Sequence, residues 1–474
     1  MRIRHFALGV LILSSLYSHA QKTTLIPLPT KQQLGWHETE FYLFVHFGPN
    51  TFTDKEWGEG TEPEDVFNPT ELDCKQWCEA AKAAGAKGII ITAKHHDGFC
   101  LWPSKFSKHT VRESKWKDGK GDVLKELSQA CHEAGLKFGV YISPWDRNHP
   151  DYGTEKYNNV FIGMMKEILQ NYGPIWELWW DGANGEGPNG KKQVYDWKRF
   201  ESTVRQISPK TVIFSDIGPD IRWVGNERGI AGTTNWNFLD TAGFKRGLGA
   251  PPEDTLNQGN YRGKQWIPAE CDVSIRPGWF WHAGEDDKVK TGEQLFDIYL
   301  RSVGRGANLL LNVPPDRRGL IGDKDIAALT AFKRIKDESF GDNLLKSANT
   351  YYQFTRNDLT SEKLSLRNVD SASSTYTVNL QNFIVEMPQA TKMDCIVLRE
   401  AIHLGQTIRK FRIVLFNGKK VIKELSGTSV GRKRILTFKP ATVTSFTVYL
   451  EDAIGNDNII GVSAFLIDER LIEK

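Results

Sequence analysis

Two stretches decide the fold: residues 84–93, Ala-Gly-Ala-Lys-Gly-Ile-Ile-Ile-Thr-Ala, and residues 134–142, Ala-Gly-Leu-Lys-Phe-Gly-Val-Tyr-Ile. Each opens at the end of an amphipathic run and passes through a glycine suited to a left-handed helix cap. It then enters an apolar run too short for a helix and long enough for a buried strand. Gly85 and Gly135 stand 50 residues apart, at the same point of a helix–turn–strand unit. The pattern extends in both directions. Phe41 to Phe47 reads as a buried strand, and Asn68-Pro69-Thr70 opens the helix that ends at Gly85. Asp122 caps a helix with Val123, Leu127, Cys131 and Ala134 on one side, and Phe138 to Ser143 is the next strand. A helix over about 159–172 stops at Gly173-Pro174 and leads into Ile175 to Trp180; another, about 197–207, feeds Thr211 to Ser215. Strands alternating with helices in this way are parallel and joined by crossovers. Gln265 to Cys271 and Asn308 to Val313 read as later strands, separated by a loop-rich stretch. The expectation is an α/β fold over residues 21–344, an irregular (β/α)8-like TIM barrel whose second half departs from the regular repeat.

Beyond residue 345 the texture changes. Tyr376-Thr377-Val378, Phe411 to Leu415 and Phe446 to Tyr449 are short β-prone runs, divided by turn signals such as Asn417-Gly418 and Gly455-Asn456. Residues 345–474 are therefore expected to form an all-β sandwich.

The chain of 474 residues carries 61 basic and 58 acidic side chains, a formal charge of +3, so nothing in its charge offers itself to phosphates and no nucleic-acid partner is expected. Its 15 Trp and 13 Tyr suit sugar binding, since the apolar face of a pyranose stacks on an aromatic ring. Arg2 and Arg4, the apolar run Phe6 to Leu16, and Ser18-His19-Ala20 have the form of a secretory signal over residues 1–20, cleaved near Ala20. The run is too short for a membrane span, so the mature chain is expected to be soluble and exported, periplasmic or secreted. The six cysteines are scattered, without zinc-ligand spacing, and read as mostly buried free thiols.

In a (β/α) barrel the reacting groups come from the carboxyl ends of the strands. Those ends read His46-Phe47-Gly48-Pro49-Asn50, Lys94-His95-His96-Asp97, Tyr141 with Ser143-Pro144-Trp145-Asp146, Trp179-Trp180-Asp181-Gly182, and Asp216 followed by Arg222 to Glu227. Polar, titratable and aromatic side chains at five successive strand ends point to one shared pocket. Asp181 is the sharpest of them, a carboxylate directly after an almost wholly apolar strand, with Gly182 freeing the backbone to turn. A second carboxyl group about 5–5.5 Å away would complete a retaining glycoside hydrolase.

These residues resemble the α-L-fucosidases of glycoside hydrolase family 29. The resemblance covers roughly residues 30–340. It rests on His46-Phe47-Gly48 with Asn50-Thr51-Phe52, Glu56-Trp57-Gly58, Lys94 to Phe99, Leu178 to Gly182, and Asn308 to Val313. It implies the barrel fold, a retaining mechanism and Asp181 as nucleophile. Gly218 to Glu227 looks like the branch that prefers α-1,3 and α-1,4 linkages, which makes Glu227 the acid/base. Glu270, read as the end of a strand, is its rival, and Glu186 a third choice. By the same resemblance His46, Glu56, Trp57, His95, His96 and Tyr141 supply polar contacts to the sugar. Trp279 or Trp281 covers its methyl face, with Trp279 favoured, and Arg222 orients a carboxylate or hydroxyl. The implied partner is a fucosylated oligosaccharide, with no cofactor and no metal. The C-terminal domain resembles discoidin-like modules and is expected to pack against the barrel. Two other readings of the same residues are a retaining glycosidase for galactosides and a catalytically silent glycan-binding protein. No feature of the sequence points to an oligomeric state.

Overall fold

The computed structural model describes residues 26–353, 382–454 and 459–467. The signal-like segment and the run at 376–378 lie outside them. Eight strands close into a barrel: β1 (Phe41–Val45), β2 (Gly88–Lys94), β3 (Lys137–Ile142), β4 (Glu177–Trp179), β5 (Val212–Ser215), β6 (Ile221–Trp223), β7 (Ala269–Ser274) and β8 (Asn308–Asn312). All neighbouring pairs are parallel, and β1 pairs with both β2 and β8 to close the ring.

The helices form where the capping chemistry allows. Asp73 caps α1 (Cys74–Ala84) by accepting from the Lys75 and Gln76 amides, and Asp122 caps α2 (Val123–Ala134) through Lys125 N–H. Such a cap is worth about 1 kcal/mol, and this is why α1 begins at Cys74 and not at the expected Asn68-Pro69-Thr70. Gly85 and Gly135 end these helices at φ of 73° and 70°, where a side chain would be strained.

The irregular half of the barrel differs from the expectation in two ways. The run at 265–271 is not one strand: Gln265–Trp266 pairs antiparallel with Phe238–Leu239 outside the barrel, and β7 starts at Ala269. Pro268 stands between them and has no N–H for a ladder. β6 was not anticipated, because three residues that include Arg222 carry no periodic signal; it follows β5 after only a tight turn, without a crossover helix.

The barrel interior is aromatic. Tyr42, Phe44, Tyr141, Trp179 and Phe214 pack there with Ile90 and Leu310. A short helix, Lys31–His37, sits before β1 and places the fully buried Trp36 in the same cluster. Each such side chain contributes on the order of 2 kcal/mol through burial.

Among the described residues the C-terminal domain is a six-stranded antiparallel sheet that includes two long strands, Asn382–Glu400 and Arg434–Ala453. Register shifts after Glu386 and Met393 let them bend, and side chains from its strands share one core that includes Phe383, Ile396, Ile413, Val448 and Val462. It is seated on the barrel by polar contacts. Asn235 N–H donates to Ser429 Oγ at 3.0 Å, Gln406 accepts from Asn237 N–H at 2.8 Å, and Lys433 Nζ reaches Glu40 Oε2 at 2.7 Å. All six cysteines are buried and free, with the Cys78 and Cys131 sulfurs 3.9 Å apart. Among the described residues no helix is long and apolar enough to cross a membrane.

Candidate active site

β4 buries Leu178 and Trp179 and delivers Asp181 at the barrel mouth. Its Oδ2 accepts from Tyr141 OH at 3.0 Å and its Oδ1 from Ala183 N–H at 2.7 Å. The side chain keeps 26% exposure, so the carboxylate is held and still reachable. Gly182 is required here for space: a Cβ on it would collide with the carboxyl of Asp216, the residue after β5. Burial, and then the nearby Asp181, push Asp216 up to about 7.

Three histidines line the mouth beside Asp181. Burial lowers His46 to about 3 and His96 to about 4, and holds His95 well below the usual range, so all three are neutral near pH 7. His46 Nδ1 lies 2.9 Å from Asn312 Oδ1, which fixes Nδ1 as the protonated nitrogen. His96 Nδ1 is 2.8 Å from Ser143 Oγ, and the hydroxyl in turn donates to Trp145 O. Its Nε2 faces Asp181 Oδ2 at 3.9 Å. His95 Nδ1 is buried without a hydrogen-bond partner among the described residues. Neutral imidazoles can both donate and accept, as recognition of vicinal hydroxyls demands.

The loop after β7 forms the opposite wall. Glu56 clamps it, accepting from Trp279 N–H at 2.7 Å and Phe280 N–H at 3.2 Å and meeting His282 Nε2 at 2.6 Å. Clamped this way, the Trp279 ring lies 5.1 Å from His46, and its Nε1 donates to Glu227 Oε2 at 3.2 Å. Glu227 is exposed. Trp57 stands at the rim, 54% exposed, edge-on to His96 and Trp145 at 5.5 Å from each.

Two expectations need correction. Arg222 is fully buried and donates to the Leu256, Ile267 and Trp236 carbonyls and to Asn235 Oδ1. It pins the loops outside β6 and does not reach the pocket. Glu270 is the second residue of β7 and not its end; it is fully buried and accepts from Tyr42 OH and from Trp179 Nε1. It lies below the pocket, four residues before Ser274 at the mouth. Of the two indoles expected at the methyl face, Trp281 lies under the Arg317 guanidinium, 5.8 Å away, and Trp279 packs on His46. Glu186 is exposed, and its backbone carbonyl accepts from Trp145 Nε1.

The sequence reading misses Phe280, Asn312 and Asp272. Phe280 is buried edge-on to His46 and His95 at 5.4 and 5.1 Å. Asp272 is buried on β7, accepts from Trp223 Nε1 at 2.8 Å, and is driven well up by burial and by Glu227. Only Asn312, closing the apolar run of β8, carries a visible signal.

A closed parallel barrel with carboxylates, neutral histidines and a tryptophan wall at the carboxyl ends of its strands defines a barrel glycoside hydrolase. The family profile of the α-L-fucosidases matches residues 6–334. Alpha-L-fucosidase 1 of Arabidopsis thaliana is 40% identical over 453 residues, covering 94% of this chain and 88% of the plant protein. A glycoside hydrolase 29 family member from an unknown rumen bacterium superposes with a TM-score of 0.83 at 37% identity, covering 94% of this chain and 78% of that one. A Ruminococcus gnavus GH29 fucosidase in complex with fucose gives 0.83 at 29% identity, over 94% and 96% of the two chains. The chain belongs to the α-L-fucosidase family, glycoside hydrolase family 29, and its activity is that of an α-L-fucosidase.

Proposed function

We propose that the chain is exported and releases terminal α-1,3/1,4-linked L-fucose from oligosaccharides with retention of configuration, Asp181 acting as nucleophile and Glu227 as acid/base. The observation that carries this reading is the pair of carboxylates at one aromatic mouth: Asp181 held by Tyr141 OH and Ala183 N–H, and Glu227 held by the Trp279 indole, whose ring packs on His46. Asp181 attacks the anomeric carbon as the glycosidic bond breaks, and the Glu227 proton goes to the leaving oxygen. Glu227, now a carboxylate, takes a proton from water while the water oxygen displaces Asp181, releasing fucose and restoring both groups. The Ruminococcus gnavus relative has been crystallised in complex with fucose both unaltered and with an aspartate replaced by alanine, which supports a mouth that takes fucose.

His46, His95, His96 and Tyr141 meet the sugar hydroxyls, Trp57 closes the rim, and Trp279 covers the C6 methyl. Glu56 joins them chiefly by holding the Trp279 loop. The linkage preference rests on Gly218 to Glu227, and export on the basic, apolar and small-residue order of residues 1–20. Residues 345–474 act as a discoidin-like support, in keeping with their polar seat on the barrel. Digestion of α-1,2, α-1,3, α-1,4 and α-1,6 fucosylated oligosaccharides, followed by NMR of the first-formed fucose, tests the reading. Release from α-1,3 and α-1,4 substrates as the α-anomer is expected. Preference for α-1,2 or α-1,6 linkages, or a β-anomer, contradicts it.

A further inference from the structure

Beneath the pocket lies a pair of carboxyl groups that the reaction above does not use. Glu177, first residue of β4, and Glu270, second residue of β7, are both fully buried among the same aromatic donors and lie close enough to influence each other's ionisation. Neither has a lysine or arginine partner among the described residues. Their donors are aromatic. Tyr42 OH and Trp179 Nε1 serve the two oxygens of Glu270, the indole at 2.8 Å, and Trp36 Nε1 serves Glu177 Oε2 at 3.1 Å.

Two carboxylates cannot bond to each other without a proton, and two like charges in contact in an apolar core cannot both ionise. Of the four oxygens, three accept from a ring or hydroxyl donor and one, Glu177 Oε1, has no donor. That oxygen is the place for the proton. We propose that Glu177 carries a permanent proton and donates it to an anionic Glu270, and that this pair is a positioning device for the nucleophile acting through Trp179. Burial and then the charge of Glu270 push Glu177 well up, whereas Glu270 is raised by burial and held down by Tyr42, Trp179 and Glu177, which agrees with a single negative charge placed on Glu270.

The path to the chemistry is short. Glu270 fixes the indole N–H of Trp179, which stacks on Phe214 at 4.0 Å and on Tyr141 at 5.2 Å. The Tyr141 hydroxyl then donates to Asp181. Glu270 thus acts on Asp181 through two intervening residues, Trp179 and Tyr141, by setting the plane of Trp179. This inference rests on the reading of Asp181 as nucleophile, but the location of the proton does not.

The test compares four full-length variants on an aryl α-L-fucoside. Glu177→Gln keeps an N–H donor toward Glu270 and an acceptor for Trp36, so at least a third of wild-type kcat is expected. Glu177→Leu keeps neither, and in Glu270→Gln the single amide oxygen cannot accept from both Trp179 and Tyr42, so the Tyr42 hydroxyl has to turn and accept from the amide N–H. For both, kcat is expected to fall at least tenfold with KM changed less than threefold, the loss of about one well-directed hydrogen bond. Trp179→Phe, which loses the N–H and leaves a smaller ring against Phe214 and Tyr141, should lose at least as much kcat as Glu270→Gln. The proton is read separately by infrared difference spectroscopy of protein labelled with carbon-13 glutamate. The difference between wild type and Glu177→Gln at neutral pH is expected to show one protonated glutamic acid C=O band, over the contributions of Glu227 and Glu400 that both proteins share. A difference without that band overturns the assignment of the proton whatever the nucleophile is. Equal kcat losses in Glu177→Gln and Glu270→Gln, or normal kcat in folded Glu270→Gln, overturn the positioning role.

Discussion

Replacing Gly182 by alanine puts the geometry around Asp181 to a quantitative test. The added Cβ would lie closer than 3.0 Å to the Oδ1, Oδ2 and Cγ atoms of Asp216. Such overlap has to be relieved by movement of either the Asp216 carboxyl or the 181–183 turn. Overpacking of this kind costs about 1–3 kcal/mol. If the turn moves, the 2.7 Å bond from Ala183 N–H to Asp181 Oδ1 is lost. A hydrogen bond to a charged acceptor is worth roughly 1.5–3 kcal/mol, and displacement of a reacting group by about 1 Å costs up to 10²-fold. Gly182→Ala is therefore expected to lower kcat on an aryl α-L-fucoside by ten- to a hundredfold, with the far-ultraviolet circular dichroism unchanged. Asp216→Ala removes all three clashing atoms. In the double variant kcat should return to that of Asp216→Ala alone, with a coupling energy of at least about 1 kcal/mol. Wild-type kcat in Gly182→Ala, or additive effects in the cycle, would refute the packing that places Asp181.

Asp216 also sets a pH dependence of stability. Its carboxyl sits at about 7 in the fold against 3.8 ordinarily, so the native chain binds more protons between those values and stability falls as pH rises through that window. Asp216→Asn should gain on wild type from pH 4 to pH 8, by at most about 4 kcal/mol at roughly 1.4 kcal/mol per pKa unit; urea unfolding showing a constant difference would contradict this. Arg222→Met should cost about 3–5 kcal/mol of stability by stranding several buried carbonyls and leave KM of the folded protein unchanged, whereas a raised KM with a normal Tm would restore Arg222 to the pocket. Trp279→Leu should raise KM for fucosides about tenfold or more through lost stacking area, and Trp281→Leu should not. The reverse order would exchange the two rings.

The histidine pair and Asp181 are legible in the sequence because each stands at the end of a buried, largely apolar strand, and that end is where polar groups must surface. Arg222 is misread for the opposite reason. β6 is three residues long, so nothing in its pattern tells that residue 222 turns away from the barrel while Trp223 turns toward Asp272. Glu270 is misplaced by a few residues: extending the strand from 265 through Pro268 puts the carboxyl at its end, when β7 begins at Ala269 and the carboxyl sinks to the floor. Trp279, Phe280 and Trp281 lie in a loop with no period to assign their directions. That choice is made by Glu56, which accepts two of the loop's amides from across the mouth, a pairing 223 and 224 residues apart that no local pattern encodes.

The account depends above all on a covalent bond forming between the sugar and residue 181. Incubation with an activated 2-deoxy-2-fluoro-α-L-fucoside, whose second displacement is slow, followed by peptide mass spectrometry, tests this directly. One fluorofucosyl group per chain, located on Asp181, is the predicted result. Inactivation with the label on any other residue, or turnover of natural substrate to the β-anomer with no adduct at all, would contradict it.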